Sequence, residues 1–100
     1  MYGTVATLKA KPGTAEQLQA LTDTWWKERA PKVSGIVGTV VFRTDKDANE
    51  YILVAMASSK EEYMANAADP EQDRWYQQIR ALLESDPVWT DGEIIFERHI

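Results

Sequence analysis

The 100-residue sequence predicts an α+β fold in the order β-α-β-β-α-β, the ferredoxin-like pattern with an antiparallel sheet. Three observations predict it. Four short β-branched or aromatic runs alternate with stretches of helical apolar spacing. The middle two runs are separated by "DKDAN" (45–49), which is rich in residues that turns prefer. The second helical stretch is interrupted by Asp69-Pro70, so one helix comes in two pieces.

Each element has its own reason. "YGTVATLK" (2–9) is short and β-branched, and "KPGT" punctuates its end. Thr14 with Gln17 has the spacing of a capping box, and Leu18, Leu21 and Trp25 then recur at helical spacing until Pro31 ends the helix. Trp25 and Trp26 are adjacent, so in a regular helix they face different ways and one of them is assigned to the core. "GIVGTVVFRT" (35–44) and "EYILVAMAS" (50–58) form a predicted hairpin. Ser59 with Glu62 is a second capping box. Asp69 is the predicted cap of the next helix, with Pro70 at its first position and Trp75, Ile79, Leu82 and Leu83 as its apolar stripe. "SDP" (85–87) stops it, and "WTDGEIIFE" (89–97) is the last strand. No linker or internal repeat divides the chain, so residues 1–100 form one domain.

The hairpin carries a further signal. Ile36, Val40 and Phe42 alternate with Val37 and Val41, while Leu53, Ala55 and Ala57 alternate with Ile52, Val54 and Met56. Both parities are apolar, whereas a half-buried antiparallel strand alternates apolar with polar. Two helices cover one sheet face only. The other face is expected to be covered by a second copy of the same sheet, giving a homodimer, the alternative being that the C-terminal tail or a loop shields it.

Composition excludes several classes. A net charge of −5 disfavours nucleic acid and anionic membrane surfaces. The third strand also lacks the basic, aromatic motif of an RNA-binding domain of this topology. With no cysteine there is neither disulfide nor thiol chemistry. No signal-peptide pattern and no membrane-length apolar run are present, so a soluble cytoplasmic protein is expected. One histidine, His99, and no cysteine give no zinc pattern, and "DKDANE" (45–50) lacks the glycine and closing glutamate of a calcium loop, so no metal is expected. No serine, threonine or lysine is singled out beside a base as a nucleophile. The paired acids Glu61/Glu62 and Glu71/Asp73 are explained by helix first turns. What remains is a set of aromatics, namely Trp25, Trp26, Tyr51, Tyr63, Trp75 and Tyr76, able either to fill a core or to wall a pocket for a planar organic ligand.

The strand followed by "KPGTAEQLQAL", the "VSGIVGTVVFR" strand and "SSKEEYMANAADP" resemble the antibiotic biosynthesis monooxygenase family, within the dimeric α+β barrel superfamily. The resemblance implies a small oxygenase that needs no metal or other cofactor. Its substrate, a small aromatic or quinol, reacts with dioxygen once deprotonated, and the protein supplies desolvation, orientation and anion stabilisation. In quinone-forming members an Asn and a Trp on the third strand and a Tyr on the next helix serve the site. Tyr63 matches that Tyr and is the expected catalytic residue. Leu53 and Ala57 stand in place of the Asn and Trp. Trp26 and Trp75 are the expected walls, with Asn66 and Arg74 as polar contacts near the mouth. Haem-degrading relatives hold iron through a helical His, and none occurs between Ser59 and Ser85. The alternative expectation is a non-catalytic module of the same fold that binds a hydrophobic small molecule or serves assembly.

Overall fold

The computed structural model describes residues Met1–Ile100. Its elements are β1 (Tyr2–Lys9), α1 (Ala15–Thr24), a π-helical turn (Trp25–Arg29), a 3-10 turn (Ala30–Lys32), β2 (Ile36–Arg43), β3 (Glu50–Ala57), α2 (Lys60–Ala67), α3 (Pro70–Arg80) and β4 (Val88–Glu93). The strands form one antiparallel sheet in the order β2-β3-β1-β4. This is the predicted ferredoxin-like α+β architecture.

Several local expectations change. Thr14 does not cap α1 with its side chain: its hydroxyl donates backwards to the Lys11 carbonyl at 2.6 Å. Pro31 does not end the first helical run at its preceding residue. The run passes through the π turn, and Pro31 sits in the 3-10 turn that closes it, where a missing N–H is tolerated. The last helix ends at Arg80, not beyond Leu83. Lys11 N–H donates to Leu82 O and Glu84 N–H to Lys9 O, so Leu83 pairs with Ala10 as an extension of β1. β4 ends at Glu93, four residues short of the predicted Glu97.

Other expectations stand. Ser59 accepts from the Glu62 N–H at 3.1 Å and caps α2, and its hydroxyl also reaches the Glu62 carboxylate. Asp69 accepts from the Glu71 N–H at 2.8 Å and caps α3, with Pro70 at its first position. In the hairpin turn Asp47 accepts from the Asn49 N–H and pairs with Lys9 at 2.7 Å.

The registers sort the side chains by face. Thr4, Ala6 and Leu8 face the helices, beside Ala55, Leu53 and Tyr51 of β3 and Asp91 and Trp89 of β4. In β2 the register slips between Ile36 and Gly38, a bulge that leaves Val37 as the extra residue. Past the bulge Thr39, Val41 and Arg43 face the helices, and Val40 and Phe42 turn to the opposite face. That opposite face also holds Val5, Ile52, Val54, Met56 and Val88, and no element of the chain packs across it.

The core proper is small: Ala6, Leu8, Ala10, Leu18 and Leu83, with Tyr51, Leu53, Ile79 and Leu82 against it. Only 12 of the 100 residues are buried, so elsewhere the helices stand off the sheet and leave space. No helix is long and apolar enough to cross a membrane.

Candidate functional site

The space under the helices is a cavity of about 1290 Å³, partly open to solvent. Its floor is the helix-facing side of the sheet: Thr4, Leu53, Ala55, Ala57, Thr39, Val41, Trp89 and Asp91. Its walls are aromatic. Trp25 and Trp26 come from the π turn, Trp75 and Tyr76 from α3, and Tyr63 from α2.

Both tryptophans of the pair reach the cavity, against the expectation that one is pure core. The Ala30 N–H bonds to Trp25 O, an i→i+5 link that widens the turn. The rings meet edge to face with centroids 5.5 Å apart. The Trp25 indole N–H donates to the Gln72 side-chain oxygen at 3.0 Å, tying the π turn to α3. Tyr76 lies 6.4 Å from Trp89, so β4 completes the aromatic wall.

Tyr63 has two contacts that define it. Its ring packs against Tyr2 with centroids 5.2 Å apart. Its hydroxyl donates to the Asp91 carboxylate at 3.1 Å. Burial raises its phenol above the ordinary value of 10.0, and the hydrogen bond to Asp91 and that residue's charge add to the rise against a lowering contribution from Thr4. Tyr63 is therefore a protonated donor at neutral pH, not a base. Burial likewise raises Tyr76, with the Asp86 charge second.

Asn66 also lines the cavity, and its oxygen accepts from Arg29 Nη2 at 2.8 Å. The same nitrogen pairs with Asp69 at 3.1 Å. The Glu71 N–H first, and then Arg29, hold the Asp69 carboxyl below its ordinary range. Arg29 is 7% exposed, and its Nε is the one buried side-chain polar atom without a partner.

Of the residues expected from sequence, Tyr63, Trp26, Asn66 and Trp75 are brought to one cavity. Arg74 is not: it lies exposed on α3 and pairs with Glu71 one turn back, because its helix position points away from the sheet. Leu53 and Ala57 do lie on the cavity floor, as apolar surface. Sequence reasoning missed Asp91 and Arg29. Asp91 had a signal, since it lies two residues from the inward-facing Trp89 and shares its side of the strand. Arg29, in "KERAP", had none, because the π turn breaks the periodicity that would have turned it inward. No group of three His, Asp or Glu residues stands close enough together to hold a metal ion.

Comparison with known proteins finds this architecture in solved structures only. No family model matches the sequence. No curated protein matches it either. Solved structures do. A candidate antibiotic biosynthesis monooxygenase from Caulobacter crescentus superposes with a TM-score of 0.82 at 15% identity, over 95% of this chain and 90% of that one. A candidate of the same name from Deinococcus radiodurans gives 0.77 at 17% identity, over 100% and 98%. A point variant of SnoaB, a cofactor-independent oxygenase from Streptomyces nogalater, gives 0.76 at 16% identity, over 96% and 94%. The resemblance read from the sequence thus extends to the fold over nearly the whole chain.

Proposed function

We propose that the protein is a cofactor-independent monooxygenase acting on a small aromatic or quinol held in the cavity. The observation that carries this reading is the hydrogen-bonded Tyr63–Asp91 pair set in an aromatic-walled apolar cavity. A carboxylate in that position accepts the proton of a substrate hydroxyl, and a protonated phenol donates to the oxyanion left behind. Trp25, Trp26 and Trp75 orient a planar ring and limit water around it. The deprotonated substrate then reacts with dioxygen. For a hydroquinone the product is a hydroxyquinone: one oxygen atom enters a ring C–H bond, the other leaves as water, and the substrate supplies all four electrons. The fold shared with SnoaB, itself a cofactor-independent oxygenase, supports this reading.

Oxygen uptake with a panel of hydroquinones tests it. The protein should raise uptake above spontaneous oxidation, one dioxygen per substrate. Tyr63→Phe should lower the rate on the order of tenfold to a hundredfold. Uptake at the uncatalysed rate, or unchanged uptake in Tyr63→Phe, overturns the assignment.

A second reading is a non-catalytic binder of the same ligands. Its support is specific: Leu53 and Ala57 are apolar at the positions where quinone-forming members carry Asn and Trp. Binding of a quinol without oxygen uptake would select it.

In either reading the working unit is a homodimer formed through the bare sheet face. The support is its continuous apolar surface, on which Val5, Val40, Phe42 and Val88 are exposed. Sedimentation at micromolar concentration should give a dimer, and Val40→Asp a monomer. A wild-type monomer rejects the dimer. A reducing cytoplasm suits the cysteine-free chain.

A further inference from the structure

Arg29 and Asn66 form an arrangement that the proposed chemistry does not use. Arg29 is buried, stands at the end of the π turn, and reaches across to the break between α2 and α3. There Nη2 donates to both Asn66 Oδ1 and Asp69 Oδ2. A guanidinium has donors only, so the group it meets on Asn66 must be the amide oxygen. The amide's orientation is therefore dictated by chemistry. Its NH₂ is left as the free end, on a residue that lines the cavity. The positive charge behind the oxygen also polarises the amide and strengthens those N–H donors.

As a device for stability the arrangement is poor. Asp69 is 42% exposed, while Arg29 is buried with Nε unpartnered. A desolvated guanidinium that lacks a full set of acceptors loses much of what its ion pair gains. As a device for recognition it is coherent. A donor pair backed by a cation belongs to a residue lining a largely apolar cavity, and the Asp91 carboxylate, an acceptor, lines the same cavity.

We infer that Asn66 is a specificity-determining donor for a ligand oxygen that accepts hydrogen bonds, a quinone carbonyl or a phenolate, and that Arg29 is its positioning residue. The inference rests on the proposed binding of planar aromatics in this cavity. It adds that the ligand must carry an acceptor oxygen at the Asn66 end. The ligand is then a ring system with oxygens of two kinds: a hydroxyl that gives its proton toward Asp91 and a carbonyl or oxyanion held by Asn66.

The test uses two probes with the same fused two-ring carbon skeleton, 1,4-naphthoquinone and naphthalene, titrated against the 100-residue protein. Tryptophan fluorescence reports binding, because all four tryptophans line the cavity. The absence of cysteine removes the thiol reaction that would otherwise compete with the quinone. The wild type should bind the quinone about three- to tenfold more tightly, the preference expected of one or two hydrogen bonds. Asn66→Leu should abolish the preference. Asn66→Asp keeps an oxygen for Arg29, so the fold has its contact, but it replaces the donor by an acceptor. The quinone should then bind no better than naphthalene. Arg29→Met should reduce the ratio while leaving naphthalene bound. A merely structural role for Arg29 would weaken both probes together and leave the ratio where it was. An unchanged ratio in Asn66→Asp or Arg29→Met overturns the inference. Equal affinity of the wild type for both probes overturns it while leaving the cavity a binding site. No quenching by either probe removes the binding reading and this inference with it.

Discussion

The two ends of the helix-covered sheet face are built differently. Where β1 leaves the sheet, Ala6, Leu8 and Ala10 meet Leu18 and Leu83, and Leu83 is 1% exposed. Where β1 enters it, Thr4 and Ala57, both buried, line the cavity together with Tyr63 and Asn66. One end is filled by aliphatic side chains and backbone pairing. The other is crossed by side-chain hydrogen bonds: Trp25 to Gln72, Arg29 to Asn66 and Asp69, and Tyr63 to Asp91. Packed core and cavity thus share one sheet face, with Leu8 and Leu18 bordering both.

The largest expected effect comes from the packed end. Leu83→Ala should destabilise the fold by about 2–5 kcal/mol, because the pocket it leaves is closed on all sides by core and β-bridge. Leu53→Ala, on the cavity floor, should cost well under that, since one side of Leu53 already faces open space. Urea denaturation of the two variants measures the difference directly. Equal losses would erase the distinction between the ends.

A smaller effect is expected from acid, and at the open end. The Ser34 and Ser58 hydroxyls first, and then Ser59, hold the Glu62 carboxyl below its ordinary value of 4.5. Asp69 is held below 3.8 by the Glu71 N–H and Arg29. Groups whose folded value is depressed contribute stability above their unfolded value and lose it as pH falls through the folded one. Both should therefore stabilise fully above about pH 5 and release their ties as pH falls below about 4. Hydrogen exchange should show α2 and the start of α3 loosening first, while the Ala10–Leu83 bridge stays protected. Asp69→Asn should remove part of that pH dependence. Loosening that begins at the packed end would contradict the picture.

The fold was legible because it depends on signals that are local. Asp69-Pro70 and Ser59 with Glu62 mark their helix starts by side-chain chemistry alone, and both caps form as written. Leu83 was misread because helical spacing continues through it, while the tertiary pairing of Ala10 draws it into the sheet. The site was legible only in part, for a related reason. Tyr63, Asn66 and Trp75 flank the helix break, so a sequence pattern groups them. Asp91 and Arg29 come from distant elements, and only the sheet register and the π turn bring them in. Arg74 illustrates the opposite error: its neighbours in sequence line the cavity, yet its own helix position faces solvent.

The π turn is the place where the chain between α1 and β2 takes up a change in length. With one residue removed from 26–29, the Ala30 N–H would reach Trp25 O as an ordinary i→i+4 link, and the elements on either side would keep their places. The surplus residue is slack absorbed within a single turn: it alters only which side chains between Trp25 and Ala30 look toward the cavity.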